Sequence, residues 1–203
     1  MSEETTRLYL ATPPLIEAAG FAPLLDAALG AGDVASLLIR FSGTDERANE
    51  AIIRALAPGA QEKGVAVLAE AAPNVALRAG ADGAHIAGCG EELAEAVKKL
   101  SPRYIVGAGD FETRDDAMRA GELGADYVIL SARDPAALVE RVAWWAELFS
   151  TPCVARARTL EEIGPLAAAG ADFTLIDDAV WRDARGPAAA VADALARLKG
   201  EGE

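Results

Sequence analysis

The side chains most able to do chemistry in this chain stand where short apolar runs give way to loops: Arg40, Glu70, His85, Asp110, Arg156 and Asp177. Each ends or follows a β-branched or aliphatic stretch, so each is expected to project from the end of a strand. An arginine in that position can grip a carboxylate or a phosphate through paired N–H donors. Arg156 and Arg158 alternate with Ala155 and Ala157, so both arginines point to one side for as long as strand geometry persists. Carboxylates such as Asp177 with Asp110 or Glu70 can divide acid and base roles if their surroundings drive their pKa values apart. His85 is the only histidine. It can act as a proton carrier near neutrality, or serve as a hydrogen-bonded packing residue within its apolar run. The plain alternative for the arginines is solvation or ion pairing.

Positioning these groups together requires a regular scaffold, and the chain supplies one. Short apolar runs alternate from end to end with longer Ala/Leu/Glu-rich stretches of helical period, the pattern of parallel βαβ units. Strands are expected at 8–12, 36–40, 65–70, 83–86, 104–108, 127–131, 153–157 and 173–177, and helices at 14–30, 45–63, 74–79, 91–100, 113–123, 135–149, 160–169 and 187–199. The tripeptide Gly-Ala-Asp recurs at 80–82, 124–126 and 170–172, each time between a helix and a strand, and Gly30-Ala31-Gly32-Asp33 is a degenerate copy. Glycine at the helix C′ position takes the left-handed conformation without a Cβ clash. Four two-unit modules make eight strands, and right-handed crossovers allow eight consecutive units to close into a (β/α)8 TIM barrel. Nothing marks the reversal of strand order that a doubly wound sheet needs, and neither GxGxxG nor a Walker loop follows the first strand. The six polar groups would then share the carboxyl end of the barrel, where barrel enzymes keep their chemistry.

A length of 203 residues fits one domain spanning 1–203. Nineteen Lys and Arg against 32 Asp and Glu give a net charge of −13, which repels polyanions and argues against nucleic-acid binding. No stretch has the length of a membrane span and the N-terminus does not read as a leader, so a cytoplasmic protein is expected. Cys89 and Cys153 stand far apart without metal-ligand spacing, so two small buried apolar residues are expected. Of the pair Trp144-Trp145, helical spacing sends one indole inward and leaves the other near the surface, where a homodimer contact is an alternative to plain packing.

Several segments carry a further likeness: Leu8-Tyr9-Leu10-Ala11-Thr12-Pro13, Leu38-Ile39-Arg40, Gly80-Ala81-Asp82-Gly83-Ala84-His85-Ile86, Gly124-Ala125-Asp126-Tyr127 and Pro152-Cys153-Val154-Ala155. Together they resemble the thiamine phosphate synthase and thiazole tautomerase superfamily over nearly the whole chain. The resemblance implies a TIM barrel in thiamine biosynthesis. It also implies a transferase that joins hydroxymethylpyrimidine diphosphate to a thiazole phosphate with Mg²⁺, releasing diphosphate. Arg40 matches the arginine of the family's Arg-x-Lys diphosphate clamp, with Ser42 where the lysine belongs. The family's metal-binding Asn-Asp pair falls at Glu70-Ala71, which makes Glu70 the metal candidate, with Glu91 a neighbouring substitute. Ala87-Gly88-Cys89-Gly90 replaces the family's Gly-Gln-x-Asp. The tautomerase's catalytic histidine position falls near Glu112, in a Gly107–Thr113 segment with one apparent extra residue. The loop after the sixth strand is shortened to Ser131-Ala132-Arg133-Asp134-Pro135. Where the family cradles phosphate with Gly-Gly-Ile, this chain has Arg156-Ala157-Arg158, and Asp177-Asp178 stands where the family has a serine. Backbone N–H groups approach a phosphate closely only where side chains are absent, and carboxylates at the end of strand eight repel an anion unless arginines neutralise them, so an Arg156–Asp177 ion pair is the simpler expectation there.

The catalytic candidates are therefore His85, Asp110 and Glu112, and the substrate-binding candidates are Arg40, Arg156, Arg158 and Asp177, around a small-molecule ligand at the barrel mouth. The leading expectation is a thiamine phosphate synthase-like protein. Two alternatives stand beside it. One is a non-catalytic relative, a pseudoenzyme, that binds a small molecule or a protein. The other is a barrel enzyme with altered chemistry that uses Asp177, Asp178, Arg156 and His85 on an unphosphorylated substrate.

Overall fold

The computed structural model describes residues 5–70 and 73–200. Its eight strands are β1 (Arg7–Ala11), β2 (Val34–Ile39), β3 (Ala66–Ala69), β4 (Gly83–Ala87), β5 (Ile105–Phe111), β6 (Tyr127–Leu130), β7 (Cys153–Ala157) and β8 (Phe173–Ile176). All pair in parallel and in chain order, and β8 returns to β1, closing the barrel. The outer helices are α1 (Ala22–Leu29), α2 (Glu46–Gln61), α3 (Pro73–Ala79), α4 (Glu91–Leu100), α5 (Arg114–Glu122), α6 (Pro135–Leu148), α7 (Ile163–Ala168), α8 (Asp178–Trp181) and α9 (Pro187–Leu198).

Side chains alternate across each strand, and the two faces build two cores. Tyr9, Ala11, Leu38, Leu68, Tyr127, Ile129, Val154 and Leu175 fill the barrel interior. The opposite face, including Leu8, Leu10, Leu37, Ile39, Val67, Val106 and Val128, packs against the helices. Continuing the inward register by two residues past Leu38, Leu68, Val154 and Leu175 reaches Arg40, Glu70, Arg156 and Asp177. Period two thus delivers these four groups to the barrel mouth.

The Gly-Ala-Asp repeats have a shared mechanical role. Gly80, Gly124 and Gly170 adopt φ of +87°, +92° and +94°, ending a helical segment in the left-handed region where a Cβ would clash. The aspartate that follows accepts a hydrogen bond from the start of the preceding strand: Asp82 from Val67 N, Asp126 from Val106 N and Asp172 from Cys153 N, each at 2.7 Å. Each aspartate's own N–H donates back, to the Val67, Val106 and Cys153 carbonyls. The motif therefore welds neighbouring strands at the amino-terminal end of the barrel. The degenerate copy departs from this pattern. Gly30 has φ −77°, and Asp33 pairs with Arg7 at the surface instead of holding a strand.

The first expected helix, 14–30, is a correction. After β1 the chain stays extended through Leu15, whose N–H donates to the Arg40 carbonyl while its carbonyl accepts from Ser42 N. Pro13 and Pro14 favour that course, and helix begins only at Ala22. A short helix, α8, stands outside the eight helices that the sequence pattern predicts; the Asp177 side chain caps it by accepting from Asp178 N. Of the paired indoles, Trp145 is buried and stacks on Phe149. Trp144 is half-buried beneath the Arg114 guanidinium, 4.5 Å from its ring centre. No helix among the described residues is long and apolar enough to cross a membrane.

Candidate functional site

At the carboxyl end of the barrel lies a cavity of about 570 Å³, lined among others by Arg40, Glu70, His85, Asp110, Glu112 and Arg156. Asp177 stands behind it, bonded to both arginines. Seven of the eight sequence-derived candidates thus converge on one opening. Arg158 does not. Like Arg40, Glu70 and Asp177 it stands one residue past its strand, but its guanidinium turns to the Arg133 carbonyl and to Glu162.

The two mouth arginines are held by carboxylates. Arg156 Nη2 donates to Asp177 Oδ2 at 2.7 Å, and Nη1 bonds Asp110. Arg40 Nη2 lies 3.2 Å from the same Asp177 oxygen, and Arg40 Nε donates to the Thr12 carbonyl at 2.6 Å. Burial would raise the Asp177 pKa, but the Arg156 hydrogen bond and charge, the Asp178 N–H and Arg40 together hold it below the ordinary carboxylate range. Burial works against the Arg156 cation, and its two aspartates more than offset that.

Asp110 reaches this position through a β-bulge. Gly109 pairs with Ile129 and Phe111 with Leu130, so Asp110 is the extra residue on β5. The bulge lies within the Gly107–Thr113 segment, where the sequence carries one apparent extra residue. Gly109 has φ +140°, and a Cβ there would meet the Ile129 carbonyl at 2.7 Å, so the bulge requires glycine.

His85 is buried beneath the cavity, and burial pushes its imidazole down to about 4, leaving it uncharged at neutral pH. Sequence reasoning missed its partners, Tyr127 and Tyr9, whose hydroxyls run from His85 into the barrel. The usable signal was a glycine, Gly107, on the strand between two hydrogen-bonding residues. Cys89 is also corrected. It is half-buried and lines the cavity, where burial and a hydrogen bond to Asp116 raise its pKa. Cys153 is buried as expected.

Two arginines therefore face five carboxylates, Glu70, Asp110, Glu112, Asp116 and Asp177, and the cavity lining contains no lysine. Mg²⁺ demands several oxygens in near-octahedral array. Among the described residues no three His, Cys, Asp or Glu side chains gather in a way that could hold a metal. Asp110 and Asp177 are engaged by Arg156, and Asp116 accepts from Thr113. The described residues thus build no protein-only Mg²⁺ cage, and Glu70 and Glu112 are the remaining carboxylates of the lining.

Comparison with known proteins agrees with the barrel. The family model described as thiamine monophosphate synthase matches residues 8–179. A thiamine-phosphate synthase of Rhodospirillum centenum is 39% identical over 196 residues, covering 92% of this chain and 95% of that one. One from Hyphomonas neptunium is 40% identical, covering 92% and 90%. Among solved structures, a thiamine phosphate pyrophosphorylase from Pyrococcus furiosus superposes with a TM-score of 0.82 at 20% identity, covering 96% of each chain. With the closed barrel, the strand-end residues and these matches in hand, the chain belongs to the thiamine monophosphate synthase family.

Proposed function

We propose that this protein is a ligand-binding member of its family: it holds a small, unphosphorylated molecule at the barrel mouth and does not join two phosphorylated substrates. The observation that carries this reading is the commitment of Arg40 and Arg156 to Asp177 and Asp110. An incoming diphosphate would have to displace carboxylates that are already in contact, inside a lining with an excess of negative charge. Like charges at about 4 Å repel by several kcal/mol at a surface-like dielectric. Charge alone therefore selects against a polyanion. The backbone offers no substitute, since side chains occupy the Arg156-Ala157-Arg158 segment where a glycine cradle would place bare N–H groups.

The names of the relatives favour a second reading, retained synthase activity, because proteins called thiamine-phosphate synthase share 39% and 40% of their aligned residues with this chain. One experiment separates the two. Purified protein is incubated with hydroxymethylpyrimidine diphosphate, thiazole phosphate and Mg²⁺ beside an active synthase, and thiamine phosphate is measured. Absence of product beside a working control supports the binding reading, and product at a rate near the control's establishes the second. In the same preparation, the unphosphorylated pyrimidine and thiazole alcohols are expected to raise the melting temperature, with smaller shifts for their phosphorylated forms.

A further inference from the structure

A buried polar chain inside the barrel is unexplained by ion pairing at the mouth. In the strand register His85 on β4 faces Gly107 on β5, and Gly107 faces Tyr127 on β6. Gly107 carries no side chain, and a Cβ built on it would lie 2.0 Å from Tyr127 Cζ and 2.2 Å from Oη. The phenol therefore lies across β5 in the space a side chain would fill. From there Tyr127 Oη sits 3.1 Å from His85 Nδ1 and 2.8 Å from the hydroxyl of Tyr9, which reaches in from β1. All three side chains are at most 7% exposed.

Counting protons gives this chain a direction. If Tyr9 donates to Tyr127 and Tyr127 donates to Nδ1, each buried hydroxyl proton has an acceptor. If Nδ1 donates to Tyr127 and Tyr127 to Tyr9, the proton of Tyr9 has no acceptor among the described residues, in a site only 1% exposed. A buried donor left unmade is the costlier arrangement. The first direction places the single imidazole proton on Nε2. Nδ1 is taken by Tyr127, so the backbone hydrogen bond between the ring and the Gly109 carbonyl, at the edge of the mouth cavity, falls to Nε2, and a ligand acceptor competes with that carbonyl for the proton. The nearby charges of Asp110 and Arg156 act on the ring in opposite senses.

We infer that Tyr127, backed by Tyr9, is a positioning residue that fixes His85 as an uncharged Nε2–H donor, and that this donor selects ligands bearing a neutral acceptor such as a ring nitrogen or carbonyl oxygen. The ligand half of this inference rests on the mouth being the binding site, as in the proposed function; the proton half does not.

Because His85 is the only histidine, long-range ¹⁵N–¹H correlation on labelled protein reads its protonation without assignment ambiguity. At pH 7.5 the expected spectrum has a protonated, pyrrole-type Nε2 and an unprotonated, pyridine-type Nδ1. Tyr127→Phe is expected to abolish that preference and give averaged signals, while Tyr9→Phe leaves Nε2 protonated. The wild-type spectrum decides the question even if a variant fails to fold. Pyridine and benzene, equal in size but differing in the acceptor nitrogen, are then titrated in. Pyridine is expected to shift the Nε2 resonance and benzene to leave it in place. A proton on Nδ1, a charged imidazole, or equal shifts with both probes overturns the inference. Formation of thiamine phosphate would overturn the proposed function without moving the tautomer, so the two failures are distinguishable.

Discussion

Acidification from pH 7 to 4.5 tests the buried histidine most directly. Burial lowers His85 from an ordinary 6.5 to about 4, with the Gly109 carbonyl and Asp110 opposing that shift and Arg156 assisting it. Between those values the unfolded chain carries a proton on His85 that the folded chain lacks, so falling pH favours unfolding. Each pH unit within the interval removes up to about 1.4 kcal/mol, and the stability present above 6.5 falls by roughly 2–3 kcal/mol on reaching pH 4.5. The carboxylates with lowered pKa, Asp177, Glu50, Asp116, Glu161, Asp183 and Asp193, act elsewhere on the scale. Their contribution is present above the unfolded carboxylate range and is lost only as pH falls below it. The interval from about 5 to 6.5 therefore belongs to His85. Urea unfolding followed by tryptophan fluorescence, at constant ionic strength and half-unit steps of pH, measures the slope. The wild type should lose stability across the interval, and His85→Gln should be level there. A wild-type curve that is flat across that interval, or a Gln variant with the same slope, would refute the argument.

Asp177→Asn leaves Arg40 without its carboxylate and Arg156 with Asp110 alone; a loss of about 1–3 kcal/mol in urea unfolding is expected, reduced by the partial exposure of Arg156. The same variant should gain affinity for inorganic phosphate, seen by titration calorimetry, and no gain would count against the charge argument for the mouth. Gly107→Ala drives a methyl into the Tyr127 phenol and should cost about 1–3 kcal/mol through overpacking, with loss of the Nε2-protonated signature of His85. Trp145→Ala removes a ring 1% exposed, stacked 4.2 Å from Phe149 and donating to the Thr151 carbonyl at 2.7 Å; a loss of about 3–5 kcal/mol in chemical unfolding is expected.

The barrel was legible in the sequence because its causes are local. Alternation of apolar residues sets which side chains face inward, and Gly80, Gly124 and Gly170 mark helix ends because only glycine takes a positive φ there without a clash. The same periodicity carried Arg40, Glu70, Arg156 and Asp177 to the mouth. Arg158 continues the same alternation from Arg156, and that alternation does not tell that its guanidinium turns to Glu162. Closure of the sheet decided the rest. It brought Asp177, just past the last strand, against Arg40, just past the second, and set Tyr9 and Tyr127, 118 residues apart, hydroxyl to hydroxyl. A bulge held open by Gly109 turned a surplus residue into the second partner of Arg156. Such contacts depend on the relative placement of strands distant along the chain, and a one-dimensional pattern encodes which way a side chain points but not what it meets.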